Sequence, residues 1–195
     1  RITDSETLKV VTMVYGGLVN KNIVAGLQAR GVNALGLTGA DCNMSRAHKR
    51  PVKDIDWGFV GDVDGADGKM LAALIAQGIV PIVAPLTHDG KGNMLNINAD
   101  TMAAETAKAL APYYDVTLTY CFEFPGVMRN PEDETSVIPQ ITTEYYSQLK
   151  EEGIVSGGMI PKIDNAFNAI DNGVAKVIIT KADALDGIQG THITA

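Results

Sequence analysis

The sequence predicts an α/β fold, a three-layer αβα sandwich around a mainly parallel sheet. Short apolar runs typical of buried strands alternate with longer stretches whose apolar residues recur every three or four positions, as on one face of a helix. Strands that alternate with helices favour parallel pairing, with helices covering both faces of the sheet. The 195 residues, of which 46% are hydrophobic, are enough for one domain or for two lobes. We expect two lobes, residues 1–112 and 113–195, because Pro112 separates two sets of strand and helix units.

The first predicted element is a long helix from Thr3 to Ala29. Its start carries a capping box, Thr3 to Glu6, and its apolar stripe is too wide for a single core contact. Gly16 and Gly17 would allow another backbone to approach closely. A subunit interface or a second core helix would explain this stripe, and its width leads us to expect a homodimer or a higher homo-oligomer.

Further elements follow the same two periodicities along the chain. We predict strands at residues 33–39, 78–86, 115–121 and 174–180, helices at 70–77, 100–110, 141–152 and 159–172, and hairpins at 45–63 and 88–92. This order of elements is typical of an α/β protein.

Composition and charge exclude several kinds of protein. The 23 acidic and 16 basic residues give a net charge of −7, and no stretch concentrates Lys and Arg, so nucleic acid is not expected as a partner. Cys42 and Cys121 lie far apart and fit reduced thiols, while the three histidines lack the spacing of a metal site, so we predict no structural metal. No apolar run approaches the length needed to cross a bilayer, and no signal peptide is evident, so we expect a soluble, cytoplasmic protein.

Two amides and a carboxylate are clustered in the segment that ends at Asp100. Asn96 and Asn98 are two positions apart, so on an extended strand their side chains would share one face. Asp100 would then cap the helix that follows. An Asn-rich turn and an ordinary N-cap explain each residue by itself, but three of them together at the C-terminal end of a strand favour a ligand site.

A glycine pair precedes a lysine at the start of the last predicted helix. Pro161 is best tolerated in the first turn of a helix, so this helix should begin near Gly158, with Lys162 close to its N-terminus. A cation there is unfavourable by about 0.3–1 kcal/mol unless an anion is bound between it and the helix N–H groups. Gly157, Gly158 and Lys162 therefore suit a phosphate site, although a solvent-directed lysine whose stem covers apolar surface explains the feature equally well.

A third segment, from Cys121 to Val127, is a loop that directly follows a buried strand. Such loops bind nucleotides in parallel sheets, and Glu123 could accept a hydrogen bond from a ribose hydroxyl. An ordinary transition from strand to turn explains the segment nearly as well.

Taken in order, these segments resemble the N-acetylglutamate kinases of the amino-acid kinase superfamily. The resemblance extends over nearly the whole chain, and its most specific parts are NINAD at residues 96–100 and GGMIPK at residues 157–162. The other matching positions are Arg1, the helix around Asn20-Lys21, residues 36–41, residues 125–127 and Gly190-Thr191. The resemblance implies an αβα sandwich that binds an acylglutamate in its N-terminal half and a nucleotide in its C-terminal half. It also implies transfer of the ATP γ-phosphoryl group to a carboxylate, giving an acyl phosphate on the route to arginine.

The resemblance further implies roles for single residues. Arg1 matches the arginine that pairs with the substrate's α-carboxylate, Asn96 matches an amide that contacts the acylamino acid, and Asn98 joins them as a substrate-binding candidate. Asp100 matches an aspartate that orients two lysines, and it need not act as a base because the attacking carboxylate is already ionised. Lys162 matches the lysine that neutralises charge around the transferring phosphoryl group.

The expected co-substrate is ATP with Mg²⁺, which should be bound mainly through phosphate oxygens. The candidate nucleotide-binding residues lie in the loop after the strand and in the glycine segment: Phe122, Glu123, Phe124, Gly126, Gly157, Gly158 and Met159.

Two features depart from the family pattern. The family's N-terminal glycine loops and first catalytic lysine precede the arginine that matches Arg1, and this sequence opens at Arg1 without a methionine, so we expect that upstream residues are missing. Glu123 stands where relatives usually carry Asp. The alternatives are another amino-acid kinase, acting on aspartate, carbamate or a nucleoside monophosphate, and a non-catalytic ligand-sensing subunit. The acyl group of the substrate could also be larger than acetyl.

Overall fold

The computed structural model describes residues 2–194, and the chain divides into two compact units. The first unit ends at Tyr113 and the second begins at Tyr114. Each unit has its own strands and helices, and their alternation along the chain confirms the predicted α/β class.

The first unit opens with a continuous helix, Ser5–Gln28. Its three consecutive segments are α1 (Ser5–Val11), a π-helical segment (Thr12–Val19) and α2 (Asn20–Gln28). The Asp4 side chain accepts a hydrogen bond from the Thr7 backbone N–H at 2.7 Å. The predicted long helix is therefore confirmed, with Asp4 rather than Thr3 as its N-cap.

This helix corrects the expectation that no apolar run approaches the length of a membrane span. Ser5–Gln28 has 24 residues, and its most apolar window has a mean hydropathy of 1.3, which is enough for a span by length and composition alone. Only 6% of that window is buried. The polar residues 20–22 interrupt the run when it is read residue by residue, whereas an average over the window includes the apolar residues on both sides.

Six strands of the first unit form two sheets. They are β1 (Ala34–Leu37), β2 (Ser45–Lys49), β3 (Gly61–Ala66), β4 (Val80–Val83), β5 (Leu86–His88) and β6 (Met94–Asn96). β1 pairs in parallel with β4, and the other four strands form a sheet in the order β3-β2-β5-β6. β2 and β3 are antiparallel, as are β5 and β6, which confirms both predicted hairpins.

Two helices complete the core of the first unit, α3 (Gly68–Ala76) and α4 (Ala99–Leu110), and they pack against each other. The buried side chains of this core come from strands, helices and the segments next to them: Met44, Ala47, Leu71, Leu95, Ile97 and Met102. The apolar positions of α3 and α4 therefore face the sheet, as their helical spacing requires.

The second unit contains one four-stranded sheet. Its elements are β7 (Thr117–Phe122), β8 (Gln140–Ile141), α5 (Thr143–Glu151), α6 (Met159–Asp171), β9 (Lys176–Lys181) and β10 (Thr191–Ile193). The strand order is β7-β9-β10-β8, and β7 runs parallel to β9. The sequence does not predict β8 and β10, because they are too short to show a periodicity.

Among the described strands, four strand pairs are parallel and three are antiparallel. The pairs β1–β4, β2–β5, β7–β9 and β8–β10 are parallel, and the pairs β2–β3, β5–β6 and β9–β10 are antiparallel. The antiparallel pairs come from hairpins and short connections, which cannot join parallel neighbours.

Candidate functional site

Asn96, the last residue of β6, lies beside the segment that precedes α1. Its side-chain Nδ2 donates a hydrogen bond to Oγ1 of Thr3 at 3.1 Å, and Thr3 is fully buried. Thr3 also pairs with Gly58, where φ is +67° and a Cβ would lie 2.1 Å from the Thr3 carbonyl oxygen, so only glycine fits. The Asn96 amide is thus held in one orientation at the end of its strand. The sequence assigns Thr3 to helix capping alone, because its contact with Asn96 depends on strand pairing.

Asn98 rather than Asp100 is the N-cap of α4, which corrects the prediction from sequence. The Asn98 Oδ1 accepts a hydrogen bond from the Thr101 backbone N–H at 3.1 Å. β6 ends at Asn96, so Asn96 and Asn98 do not share the face of one strand. The helix starts earlier than expected because Asn is as good an N-cap as Asp.

Asp100 is half-buried in the first turn of α4. A carboxylate at this position lies near the positive end of the helix dipole, which stabilises it by about 0.3–1 kcal/mol. The structure places the Asn96 amide at the C-terminal end of β6 and the Asp100 carboxylate inside the helix that follows rather than at its N-cap. β6 is, however, antiparallel to β5, with Asn96 opposite Leu86, so this is the end of the sheet at which β5 begins.

The glycine segment of the second unit has the predicted helix start. α6 begins at Met159 with Gly158 as its N-cap, and Pro161 lies in its first turn. Gly157 has a φ of +55°, a conformation that favours glycine. A Cβ built at Gly157 or Gly158 would meet none of the other described atoms within 4 Å, so the space beside both residues is open. The space beside this helix N-terminus can admit an anion, while the Met159 and Ile160 N–H groups donate to the Ser156 and Gly157 carbonyl oxygens at 3.2 and 3.3 Å.

The Lys162 side chain lies over two aromatic rings of β7. Its Nζ is 4.8 Å from the ring centroid of Tyr120 and 5.9 Å from that of Phe122, both within the range of cation–π attraction. Tyr120 and Phe122 are two positions apart on a strand, so their rings project from the same face of the sheet. Lys162 is half-buried at the C-terminal end of β7 and is not directed away from the protein.

A cavity of about 130 Å³ lies where β7 ends. Its lining includes four of the predicted nucleotide-binding residues, together with neighbouring apolar side chains: Phe122, Phe124, Gly126, Met159, Met128 and Ile154. Phe122 and Phe124 pack edge to face, with their ring centroids 5.7 Å apart. A typical ligand pocket has at least about 300 Å³, so this cavity is too small to enclose a whole nucleotide.

The remaining candidate residues lie outside this cavity or outside the described part of the chain. Glu123 is exposed in the loop after β7 and does not belong to the described lining. Gly157 and Gly158 precede α6 and are likewise absent from that lining. Arg1, the predicted partner of the substrate's α-carboxylate, lies outside the described residues.

A buried tyrosine links α5 to the start of α6. The Tyr146 hydroxyl donates a hydrogen bond to the Asp164 carboxylate at 2.8 Å and lies 3.2 Å from the Ile160 carbonyl oxygen. Burial raises the pKa of Tyr146 well above its ordinary value, and the hydrogen bond and negative charge of Asp164 raise it further. Tyr146 therefore stays protonated and holds the helical turn that contains Lys162.

Residues 1–181 match the family model described as the amino acid kinase family. The chain therefore belongs to the amino acid kinase family. The crystal structure of smu.665 from Streptococcus mutans has the same fold, with a TM-score of 0.84 and 31% sequence identity, and the match covers 100% of this chain and 74% of that one.

Several curated relatives of this chain are acetylglutamate kinases. The acetylglutamate kinase of Phocaeicola vulgatus is 67% identical over 193 residues, which are 99% of this chain and 75% of the relative. The acetylglutamate kinase of Bacteroides thetaiotaomicron is 65% identical over 193 residues, with the same coverage of 99% and 75%. The chain is thus similar to acetylglutamate kinases over almost its whole length.

Proposed function

We propose that this protein is an ATP-dependent kinase that phosphorylates the side-chain carboxylate of N-acetyl-L-glutamate, in arginine biosynthesis in the cytoplasm. The observation that supports phosphoryl transfer is the position of Lys162 in the first turn of α6, over the rings of Tyr120 and Phe122, the second of which lines the apolar cavity. The identity of the acceptor rests on the similarity to acetylglutamate kinases.

Phosphoryl transfer to a carboxylate requires that the two reactants are positioned and that the negative charge of the transition state is stabilised. A carboxylate oxygen attacks the γ-phosphorus of ATP, and the bond between that phosphorus and the ADP oxygen breaks. No general base is required, because a carboxylate is ionised at neutral pH. Negative charge moves towards the ADP oxygens, where preorganised donors stabilise it. We assign Lys162 and the N–H groups at the start of α6 to this task, and the apolar cavity to the adenine ring.

The residues of the first unit are assigned to the acceptor. The Asn96 amide, oriented by Thr3, would contact the acylamino group, and the Asn98 Nδ2 would donate to the substrate while its Oδ1 caps α4. Arg1 would pair with the α-carboxylate, for which a planar guanidinium is the suitable partner. Asp100 would hold lysine ammonium groups by charge.

The nucleotide would be ATP carrying Mg²⁺. Among residues 2–194, no group of three or more His, Cys, Asp or Glu side chains is arranged to hold a metal ion. Mg²⁺ would therefore be held mainly through the phosphate oxygens of ATP, where it neutralises part of their charge.

The test is an acceptor panel with the full-length protein and ATP. The acceptors are N-acetylglutamate, N-succinylglutamate, aspartate, carbamate and a nucleoside monophosphate, with ADP release measured and acyl phosphates trapped by hydroxylamine. We expect the highest kcat/KM, and a trapped hydroxamate, with N-acetylglutamate. A protein that binds N-acetylglutamate but releases no ADP would be a ligand-sensing subunit, and a higher kcat/KM for another acceptor would identify a different kinase.

We also propose that the long helix forms the interface of a homodimer, alone or within a higher oligomer. Polar residues of this helix contact its own unit, since the Asn20 Nδ2 donates to the Ile82 carbonyl at 2.8 Å and the Lys21 Nζ to the Gly36 carbonyl at 3.1 Å. Large apolar side chains of the helix are exposed instead: Val10, Met13, Tyr15, Leu18, Val19 and Ile23. Among residues 2–194, β1 and β4 pair only with each other, and their outer edges could not enter lipid without leaving backbone groups unpaired, so a second protein surface fits better than a membrane.

Charges placed on this stripe should separate the subunits. Met13→Glu combined with Leu18→Glu is expected to give a monomer, because the two side chains are 64% and 62% exposed in the unit and would bring buried charges into an interface. The matched control is Leu185→Glu in the second unit, where the side chain is also 62% exposed, and it should leave the dimer intact. Light scattering at micromolar concentration measures the mass. A monomeric wild type, or a dimer that survives the paired substitution, would contradict the proposal.

A further inference from the structure

Tyr120 is a buried aromatic residue of β7 whose ring faces Lys162. Its side chain is 4% exposed, and the Lys162 Nζ lies 4.8 Å from its centroid, closer than the 5.9 Å to Phe122. The face of an aromatic ring carries negative potential, and its attraction for a cation is stronger where water is excluded. The buried Tyr120 ring is therefore the stronger of the two partners for this ammonium group.

Alternate side chains of β7 project from one face of the strand, and the Lys162 ammonium group lies over that face. Leu118, Tyr120 and Phe122 occupy alternate positions of the strand, so their side chains share one face, and Phe122 at the C-terminal end is the least buried of the three. Leu118 and Tyr120 are buried, whereas Phe122 is half-buried and lines the cavity. The Lys162 ammonium group is thus attracted by the buried ring of Tyr120 and by the ring of Phe122, which lines the cavity.

We propose that Tyr120 is a positioning residue for Lys162, whose ammonium group its ring holds at the end of β7, where phosphate oxygens would bind. This proposal rests on the role assigned to Lys162 in phosphoryl transfer. A lysine side chain is flexible, and the N-terminus of α6 repels a cation rather than attracting it. The attraction of the ammonium group to the ring face favours those rotamers of the side chain that reach the end of β7. The ring therefore raises the fraction of molecules in which Lys162 is in place.

The test weakens the negative face of the ring while keeping its shape. Tyr120→Phe first removes the hydroxyl, so that its contribution is measured separately. Phenylalanines with one, two and three ring fluorines are then incorporated at position 120 of the full-length protein. Each fluorine withdraws electron density from the ring face and nearly preserves the packing, so that the fold is retained. Steady-state kinetics with ATP and N-acetylglutamate give kcat and both KM values.

We expect Tyr120→Phe to keep kcat within about threefold of wild type, because the ring remains. Successive fluorines should then lower kcat in steps, by about twofold to thirtyfold in total, with little change in KM for N-acetylglutamate. In the Lys162→Met background the same series should leave the residual kcat unchanged, because no cation is present for the ring to hold. Leu118→Ala, on the same face of β7, should lower the melting temperature and leave kcat unchanged.

Three results would overturn the proposal, and each leads to a different conclusion about the roles of Lys162 and Tyr120. If Lys162→Met is strongly impaired but kcat is insensitive to fluorination, Lys162 keeps its assigned role and Tyr120 is a packing residue. If fluorination lowers kcat equally with and without Lys162, the ring acts by another route. If Lys162→Met turns over like wild type, the assigned role of Lys162 is wrong, and the positioning role of Tyr120 is lost with it.

Discussion

Lys162→Met is expected to lower kcat about a hundredfold to a thousandfold, with a smaller effect on KM for ATP. Methionine keeps an unbranched stem and removes the charge. Negative charge redistributes in the transition state, so an ammonium group at the phosphates stabilises that state more than the bound substrates. The half-buried position of Lys162 over Tyr120 and Phe122 supports this expectation. Kinetics of the full-length protein, with ATP and N-acetylglutamate varied separately, measure it.

Lys150→Met is the matched control for this prediction. The Lys150 Nζ lies 4.1 Å from the Tyr146 ring centroid, much as the Lys162 Nζ lies over Tyr120, so each substitution removes a lysine from the face of a buried tyrosine. Lys150 is on α5 and belongs to no predicted site, so its loss should leave kcat unchanged.

Arginine should replace Lys162 poorly, because its planar fork cannot reproduce a compact ammonium at the same depth. If Lys162→Met keeps wild-type kcat and merely melts at a lower temperature, Lys162 is a structural residue and the phosphate site at α6 is wrong.

Asp100→Asn is expected to lower kcat by at least about a hundredfold while the protein melts nearly as wild type does. An amide cannot hold lysine ammonium groups by charge, and a hundredfold loss corresponds to about 2.7 kcal/mol of transition-state stabilisation. The loss of folding stability should be smaller, because Asn98 rather than Asp100 caps α4, and the interaction of a carboxylate with the helix dipole is about 0.3–1 kcal/mol. Thermal melting and steady-state kinetics of the same preparation separate the two effects.

The control for Asp100 is Glu105→Gln on the same helix. Glu105 pairs with Lys108 at 2.7 Å, so this substitution removes a carboxylate that already has a local partner. Its kcat should match wild type. Equal kcat for Asp100→Asn and wild type would remove Asp100 from the site.

Elements with a clear local pattern were predicted well. Pro161 indicated a helix start near Gly158, and α6 begins at Met159. The apolar runs 115–121 and 174–180 became β7 and β9, which pair in parallel. These features depend on backbone preferences and side-chain periodicity within a few residues, so they can be recognised without the rest of the chain.

The errors came from features without such a pattern. β8 and β10 are short and exist because neighbouring strands pair with them. The sequence predicts Asp100 as the N-cap of α4, whereas Asn98 caps it, because both residues are good caps and their order in sequence does not distinguish between them. Expecting no run of membrane-span length was wrong for Ser5–Gln28, where interspersed polar residues hide a high average hydropathy.

The α/β class, most helices and strands, and the motifs that resemble the acetylglutamate kinases can be read from the amino-acid sequence, because each is encoded in a short stretch of chain. Three contacts or exposures become visible only in the folded protein: Tyr120 faces Lys162, Asn96 bonds to Thr3, which is 93 residues away, and the apolar stripe of the long helix is exposed. Such contacts depend on which strands pair and in which register. Pairing is set by the packing of the whole unit, so no local pattern specifies it.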